Sequence, residues 1–164
     1  MTDVVNLLDY EVADQGEPAG FRHLRVFVGR ELGGELIGCS VYELPPGERA
    51  WPYHWHVNNE EWLVVVSGTP TLRTAEGERE LAPGDVVGFP EGRAGAHDVS
   101  NRSSEAVRVA IFSTMRPGDS VYPDSDKLGA GPDGDRRYFP RSAAVGYWDG
   151  ELLSESPDSG DARE

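Results

Sequence analysis

The stretch His54-Trp55-His56-Val57-Asn58-Asn59-Glu60-Glu61 concentrates residue types that ligate transition metals. Side chains two apart on a strand point the same way, about 6.6 Å apart along the chain, so His54 and His56 can reach one ion from one face. A carboxylate to complete the group would come from Glu60 or Glu61. Glu61 lies five positions after His56, and an unbroken strand would turn it to the opposite face. Asn58-Asn59 is turn chemistry, and a turn brings the chain back on a neighbouring strand roughly 4.8 Å away. If Glu61 faces inward, Leu63 and Val65 share its face; if Glu60 does, Trp62, Val64 and Val66 line the site. Periodicity leaves both open. His97 could join only from a distant strand, which spacing alone does not establish.

The elements that must hold these residues read as short strands. Phe21–Val28 alternates imperfectly and ends at Gly33-Gly34; Glu35–Leu44 stops at Pro45-Pro46-Gly47. Tyr53–Val57 and Glu61–Ser67 flank the Asn pair, and Trp62-Leu63-Val64-Val65-Val66 is strongly β-forming. Thr71–Thr74 and Arg79–Leu81 form a hairpin about Glu76-Gly77-Glu78, Pro83-Gly84-Asp85 leads into Val86–Phe89, and strands follow near Ala96–Ser100 and Ala106–Ser113. Punctuation about every ten residues without a helical period predicts an all-β sandwich or barrel.

On these residues the chain resembles the cupin superfamily, and in particular its short single-domain bacterial members. The first cupin motif is matched by Gly47, His54-x-His56, four residues, Glu61, six residues and Gly68; the spacing to Gly68 selects Glu61 over Glu60. The second is matched by Gly84, Pro90-Glu91-Gly92, His97 and Asn101. Two loops are longer than the pattern, one residue before His54 and two before His97, which should alter the pocket rim more than the ligands. The resemblance covers roughly residues 35 to 115. It implies a double-stranded β-helix, or jelly-roll barrel, with His54, His56, Glu61 and His97 holding one divalent metal ion.

Three neutral nitrogens and one anionic oxygen suit Fe(II), Mn(II), Ni(II), Co(II) or Zn(II), and on a six-coordinate ion leave two positions for other ligands. That supports Lewis-acid or redox chemistry on a small chelating molecule. By resemblance the expectation is an enzyme acting on an oxygen-rich or carboxylate metabolite, of dioxygenase or decarboxylase type ahead of sugar-isomerase type. The alternative is a non-catalytic module that binds metal and a small ligand. Possible pocket or rim residues are Trp51, Tyr53, Glu48, Arg49, Cys39, Leu63 and Val65; no catalytic proton carrier can be named.

Charge narrows the partners. The formal net charge is -14, from 29 acidic against 15 basic residues, and such a surface repels phosphate backbones and anionic lipid. Nucleic acid and membrane are therefore not expected as partners; a small-molecule ligand and a homodimer are. No segment approaches the roughly 20 apolar residues of a membrane span. Cys39 is the sole cysteine, so no intrachain disulfide is possible, and the start Met1-Thr2-Asp3-Val4-Val5 lacks the features of a signal peptide. The expectation is a cytoplasmic protein. Residues 1–20 read as an arm, 21–115 as the barrel, 116–152 as an extended tail packed on it, and 153–164 as disordered.

Overall fold

In a computed structural model, which describes residues 4–132 and 134–151, the chain is almost entirely β-structure. The first elements are β1 (Ala13–Asp14), β2 (Leu24–Val26), the single helical turn α1 (Val28–Glu31), β3 (Gly38–Leu44), β4 (Trp55–His56) and β5 (Glu61–Ser67). There follow β6 (Thr71–Thr74), β7 (Gly77–Glu80), β8 (Val86–Phe89), β9 (Asp98–Ser100) and β10 (Val107–Ser113). Beyond the barrel repeat lie β11 (Ser120–Tyr122), β12 (Lys127–Ala130) and β13 (Arg137–Pro140).

One antiparallel sheet has the order β1-β2-β3-β10-β5-β8. The other face is assembled from shorter pieces. Strands β7, β6 and β9 pair in that order, and residues 47–54 run antiparallel beside 97–101. There the Ala50 amide donates to the Val99 carbonyl, and His54 and His97 exchange both backbone bonds, at 3.1 and 2.9 Å. The same run continues as β4 into β11, β12 and β13. The two faces enclose one core, as a double-stranded β-helix requires.

Strand β5 shows why the sequence settles this way. Its β-branched and aromatic residues fit a pleated surface, and the period of two puts Leu63 and Val65 inside while Trp62 stands 54% exposed. Leu44, Phe89, Val109 and Ile111 meet them from the same sheet, and Leu72 and Val99 from the facing one. Each buried aliphatic of this kind contributes about 1.5–3 kcal/mol from the area it removes from water.

The outer face of β3 is covered by the arm. Val5, Leu7, Tyr10 and Val12 pack on Val28, Cys39 and Val41. Arg108 fastens it, one nitrogen donating to the Leu8 carbonyl at 2.8 Å and another to Glu43 at 2.7 Å. Cys39 therefore packs with Val28 and Val41 on the outer face of β3 beneath the arm, and it also borders the cavity that reaches Glu61. Burial pushes its thiol pKa up, as expected of a small packing residue.

The stretch read as an extended tail contains β11 to β13, which widen the second sheet beside β4. Tyr138 and Phe139 lie in β13, while Tyr147 and Trp148 pack edge to face on one another and are largely exposed. The expectation for 153–164 falls outside the described residues. No described helix is long and apolar enough to cross a membrane.

Candidate metal centre

His54 and His56 project inward from the run that ends in β4, with Trp55 between them on the other face, opposite Val121 of β11. The chain turns at Asn58-Asn59 and starts β5 at Glu61, whose side chain comes back toward the histidines. The Glu61 Oε2 atom lies 3.2 Å from His56 Nε2, which is 3.1 Å from His54 Nε2. One ligand atom from each of these three residues lies within 4.8 Å of the others. His97 comes from the neighbouring run, and its Nε2 is 3.5 Å from the same Glu61 oxygen. Glu60 is exposed and accepts from the Trp62 indole at 3.4 Å, so the carboxylate left open by periodicity is Glu61.

The remaining nitrogen of each imidazole is tied down. His54 Nδ1 donates to the Pro52 carbonyl at 2.9 Å, and His97 Nδ1 to the Gly95 carbonyl at 2.8 Å. A carbonyl only accepts, so both rings carry their proton outward and present a lone pair at Nε2. His97 Nε2 is buried with no hydrogen-bond partner, which leaves that lone pair without a protein donor. Burial, followed by the charges of His97 and His56, drives the His54 pKa well below the usual imidazole value. Burial also lowers His97 to about 4, against the pull of Glu61. For Glu61 burial acts to raise the pKa, but bonding to His56 and the charge of His97 outweigh it and keep the carboxyl ionised. Neutral inward imidazoles beside a carboxylate are the protonation state a divalent ion needs. The residues fit the ion.

His56 is held differently, by Ser120 of β11 at 2.9 Å from Nδ1. Arg136 donates to that same Ser120 Oγ at 2.9 Å and to the Gly129 carbonyl at 2.9 Å. His54 Nε2 can only accept, so without metal the His56 Nε2 must be the donor across their 3.1 Å contact. For His56 to hold an ion through Nε2 its proton would sit on Nδ1, and the Ser120 hydroxyl could then accept from it, a reversal open to Ser but closed to a carbonyl. Asn59 completes the surround, donating to Glu61 Oε1 at 3.2 Å while its own oxygen accepts from Ser113 and Thr114. Tyr122 stacks on the His54 ring at 5.4 Å and 19°. Burial first, then Tyr138, pushes its hydroxyl up to about 12, so it stays protonated.

The other sequence candidates separate by face. Leu63 and Val65 line the interior below Glu61. Trp51 lies edge-on to His97 at 5.6 Å and to His54 at 6.2 Å. Tyr53 and Arg49 belong to the outer surface of the second sheet, because they alternate with inward neighbours. Tyr53 lies under the Arg73 guanidinium at 4.1 Å, and Arg49 pairs with buried Asp98. Glu48 is buried against Arg22, whose Nε donates to it at 3.0 Å. The sequence reading missed Asn59, Ser120, Tyr122, Arg136 and Tyr42; only the polar Asn59, within the motif itself, carried a local signal.

The longer loops have structural outlets. Between the Arg49–Ser100 and His54–His97 pairs the first run holds two more residues than its partner, a bulge containing Pro52, which has no N–H for a ladder. The extra length before His97 forms a 3-10 turn, Arg93–Gly95. A Cβ on Gly95 would stand 1.9 Å from the Pro90 oxygen, so glycine alone fits where the chain presents the His97-binding carbonyl.

A cavity of about 190 Å³ leads from the surface to Glu61. Its wall includes Tyr42, Ile111 and Ser113 near the ligands and Phe27, Arg30 and Ile37 at the mouth.

The comparisons agree with this architecture. The family described as the cupin domain matches residues 40–113. A protein of Acidithiobacillus ferrooxidans proposed to be a sugar phosphate isomerase superposes with a TM-score of 0.71 at 26% identity, covering 83% of each chain. A sugar phosphate isomerase of the cupin superfamily from Silicibacter pomeroyi gives 0.73 at 21% identity, over 84% of this chain and 92% of that one. The polyketide cyclase of Streptomyces resistomycificus gives 0.59 at 18% identity, over 71% and 81%. At such identities the last two attest the fold. No curated protein matches by sequence. The first two likenesses run well past residues 40–113, so part of the flanking arm or β11–β13 region is shared as well. With its motif ligands converging inside a double-stranded β-helix, residues 40–113 of this chain match the cupin domain, and the similar solved structures share its fold.

Proposed function

We propose that this chain is a metal-dependent cupin enzyme acting on a small oxygen-rich or carboxylate metabolite. The observation that carries the reading is the convergence of three imidazoles on one carboxylate, Glu61, which also lines a cavity. His54, His56, His97 and Glu61 would hold the ion. When bound, a divalent iron, manganese, nickel, cobalt or zinc ion supplies a Lewis-acidic centre for a chelating substrate and, as iron or manganese, a redox one. The chain's other residues supply the surroundings. Pro52, Gly95, Ser120 and Asn59 fix ligand orientation. Leu63, Val65, Phe89 and Ile111 exclude water and lower the local dielectric. Tyr42 lines the cavity beside Glu61, and burial raises its hydroxyl pKa although Arg25 opposes the rise. It therefore holds a proton near the ligands that a reacting oxygen or carbon could receive.

Dioxygenase or decarboxylase chemistry is the first reading. Isomerisation of a sugar phosphate is the second, favoured by the 26% identical Acidithiobacillus relative and its proposed role. Elemental analysis of protein purified without added metal or affinity resin tests the site. Near-stoichiometric metal, lost in His54→Ala/His56→Ala, is the expected result; none, even after anaerobic reconstitution, overturns it. Metal-loaded protein is then screened across oxygenase, decarboxylase and isomerase substrates, and inertness throughout would favour a non-catalytic binding module.

A further inference from the structure

In so acidic a chain most arginines find a carboxylate. Arg22, Arg49, Arg73, Arg102, Arg108, Arg116, Arg137 and Arg141 each pair with one. Two that have no carboxylate partner among the described residues are Arg25 and Arg30; Arg30 lines the cavity, and Arg25 shares with it the cavity-lining Phe27. Their guanidinium carbons lie 4.6 and 5.2 Å from the centroid of the same Phe27 ring. The ring holds both in place without neutralising either. Arg25 also lies over Tyr42, at 5.7 Å, and its Nε is buried without an acceptor. Glu31 accepts the Tyr10 hydroxyl and Glu61 faces the histidines, while Arg25 donates to the Gln15 side-chain carbonyl at 3.4 Å. Two like charges on one aromatic ring, one with a buried donor left over, make a site that an anion would relieve.

We infer that Arg25 and Arg30 form an oxyanion subsite at the outer end of the cavity, taking the carboxylate or phosphate of the substrate. The substrate's other end then reaches Glu61 and the histidines. The inference rests on the proposed enzyme reading and narrows it to anionic substrates. Size agrees: a cavity of about 190 Å³ takes a small metabolite and not a polymer. The charge pattern agrees as well, since a strongly negative surface repels an anion everywhere except at such a patch.

The test uses chelator-treated protein, so that anion binding is read apart from metal. Inorganic phosphate and malonate are titrated separately by calorimetry into the unaltered chain, Arg30→Gln, Arg25→Gln and an Arg79→Gln control on exposed β7. The expected result is saturable binding of at least one anion, weakened about tenfold in Arg30→Gln and Arg25→Gln and unchanged in the control. Which anion binds more tightly tells a phosphate-bearing substrate from a carboxylate one. Arg30 is exposed, so its variant should melt as the unaltered protein does and remain informative if Arg25→Gln misfolds. Binding of neither anion, or binding indifferent to Arg30, overturns the subsite even if metal analysis succeeds. Arginine-dependent binding in a protein that takes up no metal keeps the subsite and removes the enzyme reading.

Discussion

Acid should destabilise the metal-free protein through His97 and His54. Burial lowers His97 from 6.5 to about 4, and His54 falls well below 6.5 for the same reason. Between these values the unfolded chain binds protons that the folded chain refuses, so stability rises with pH across the window. It is complete above about pH 6.5 and is lost as pH falls toward 4. A shift of about 2.5 units at 1.36 kcal/mol each gives about 3 kcal/mol for His97 alone. His54 adds to the same slope. Glu61, held ionised by His56 and His97 against burial, adds a loss below its ordinary value near 4.5. Against a total of roughly 5–15 kcal/mol for a domain, this is a large fraction. Urea unfolding of chelator-treated protein at half-unit steps from pH 7.5 to 4.5 reads the slope, and His97→Gln should flatten it by about half or more. A stability constant to within 1 kcal/mol across that range, or an unchanged slope in His97→Gln, would refute the assignment of neutral buried imidazoles.

Three further outcomes follow from the geometry. Ser120→Ala removes the oxygen that holds His56 Nδ1 and should lower metal affinity about 10- to 100-fold with little change in folding, read by competition with a chromophoric chelator. Gly95→Ala must displace the Pro90 carbonyl and should destabilise by about 1–3 kcal/mol while also weakening metal binding, read by denaturant melts with and without metal. The proposed homodimer should elute near twice 17.9 kDa, and Trp62→Glu, on the exposed outer face of β5 opposite Gly88, should shift it to monomer; elution of the unaltered protein at 17.9 kDa would exclude the dimer.

Much of the barrel was legible because its strands obey local rules. Glu61–Ser67, Thr71–Thr74 and Val86–Phe89 form where β-branched runs meet Gly and Pro punctuation. Strands β11, β12 and β13 carried no such mark. They are three or four residues long and separated by Asp124-Ser125-Asp126 and Gly131, so no period has room to show. What makes them strands is an existing edge: β4 offers two residues for pairing, and β11 takes them. A tertiary template of that kind leaves no periodicity in the sequence.

The same contrast runs through the site. His54, His56 and Glu61 could be grouped because one turn joins them, and the choice of Glu61 over Glu60 needed either a family spacing or the folded hairpin. Residues that decide the site's protonation come from elsewhere in the chain. Ser120 lies 64 positions beyond His56, and Arg136 a further 16, yet together they govern which nitrogen of His56 carries the proton. Nothing about a lone Ser or Arg in a polar tail signals that role, since their significance is the register that sets Ser120 opposite His56. The ligand atoms are thus encoded locally, while the network that prepares them for a metal is encoded by strand pairing. A change in β11 that kept all four ligands but slipped that register by one residue would turn Ser120 to the other face and leave His56 unheld.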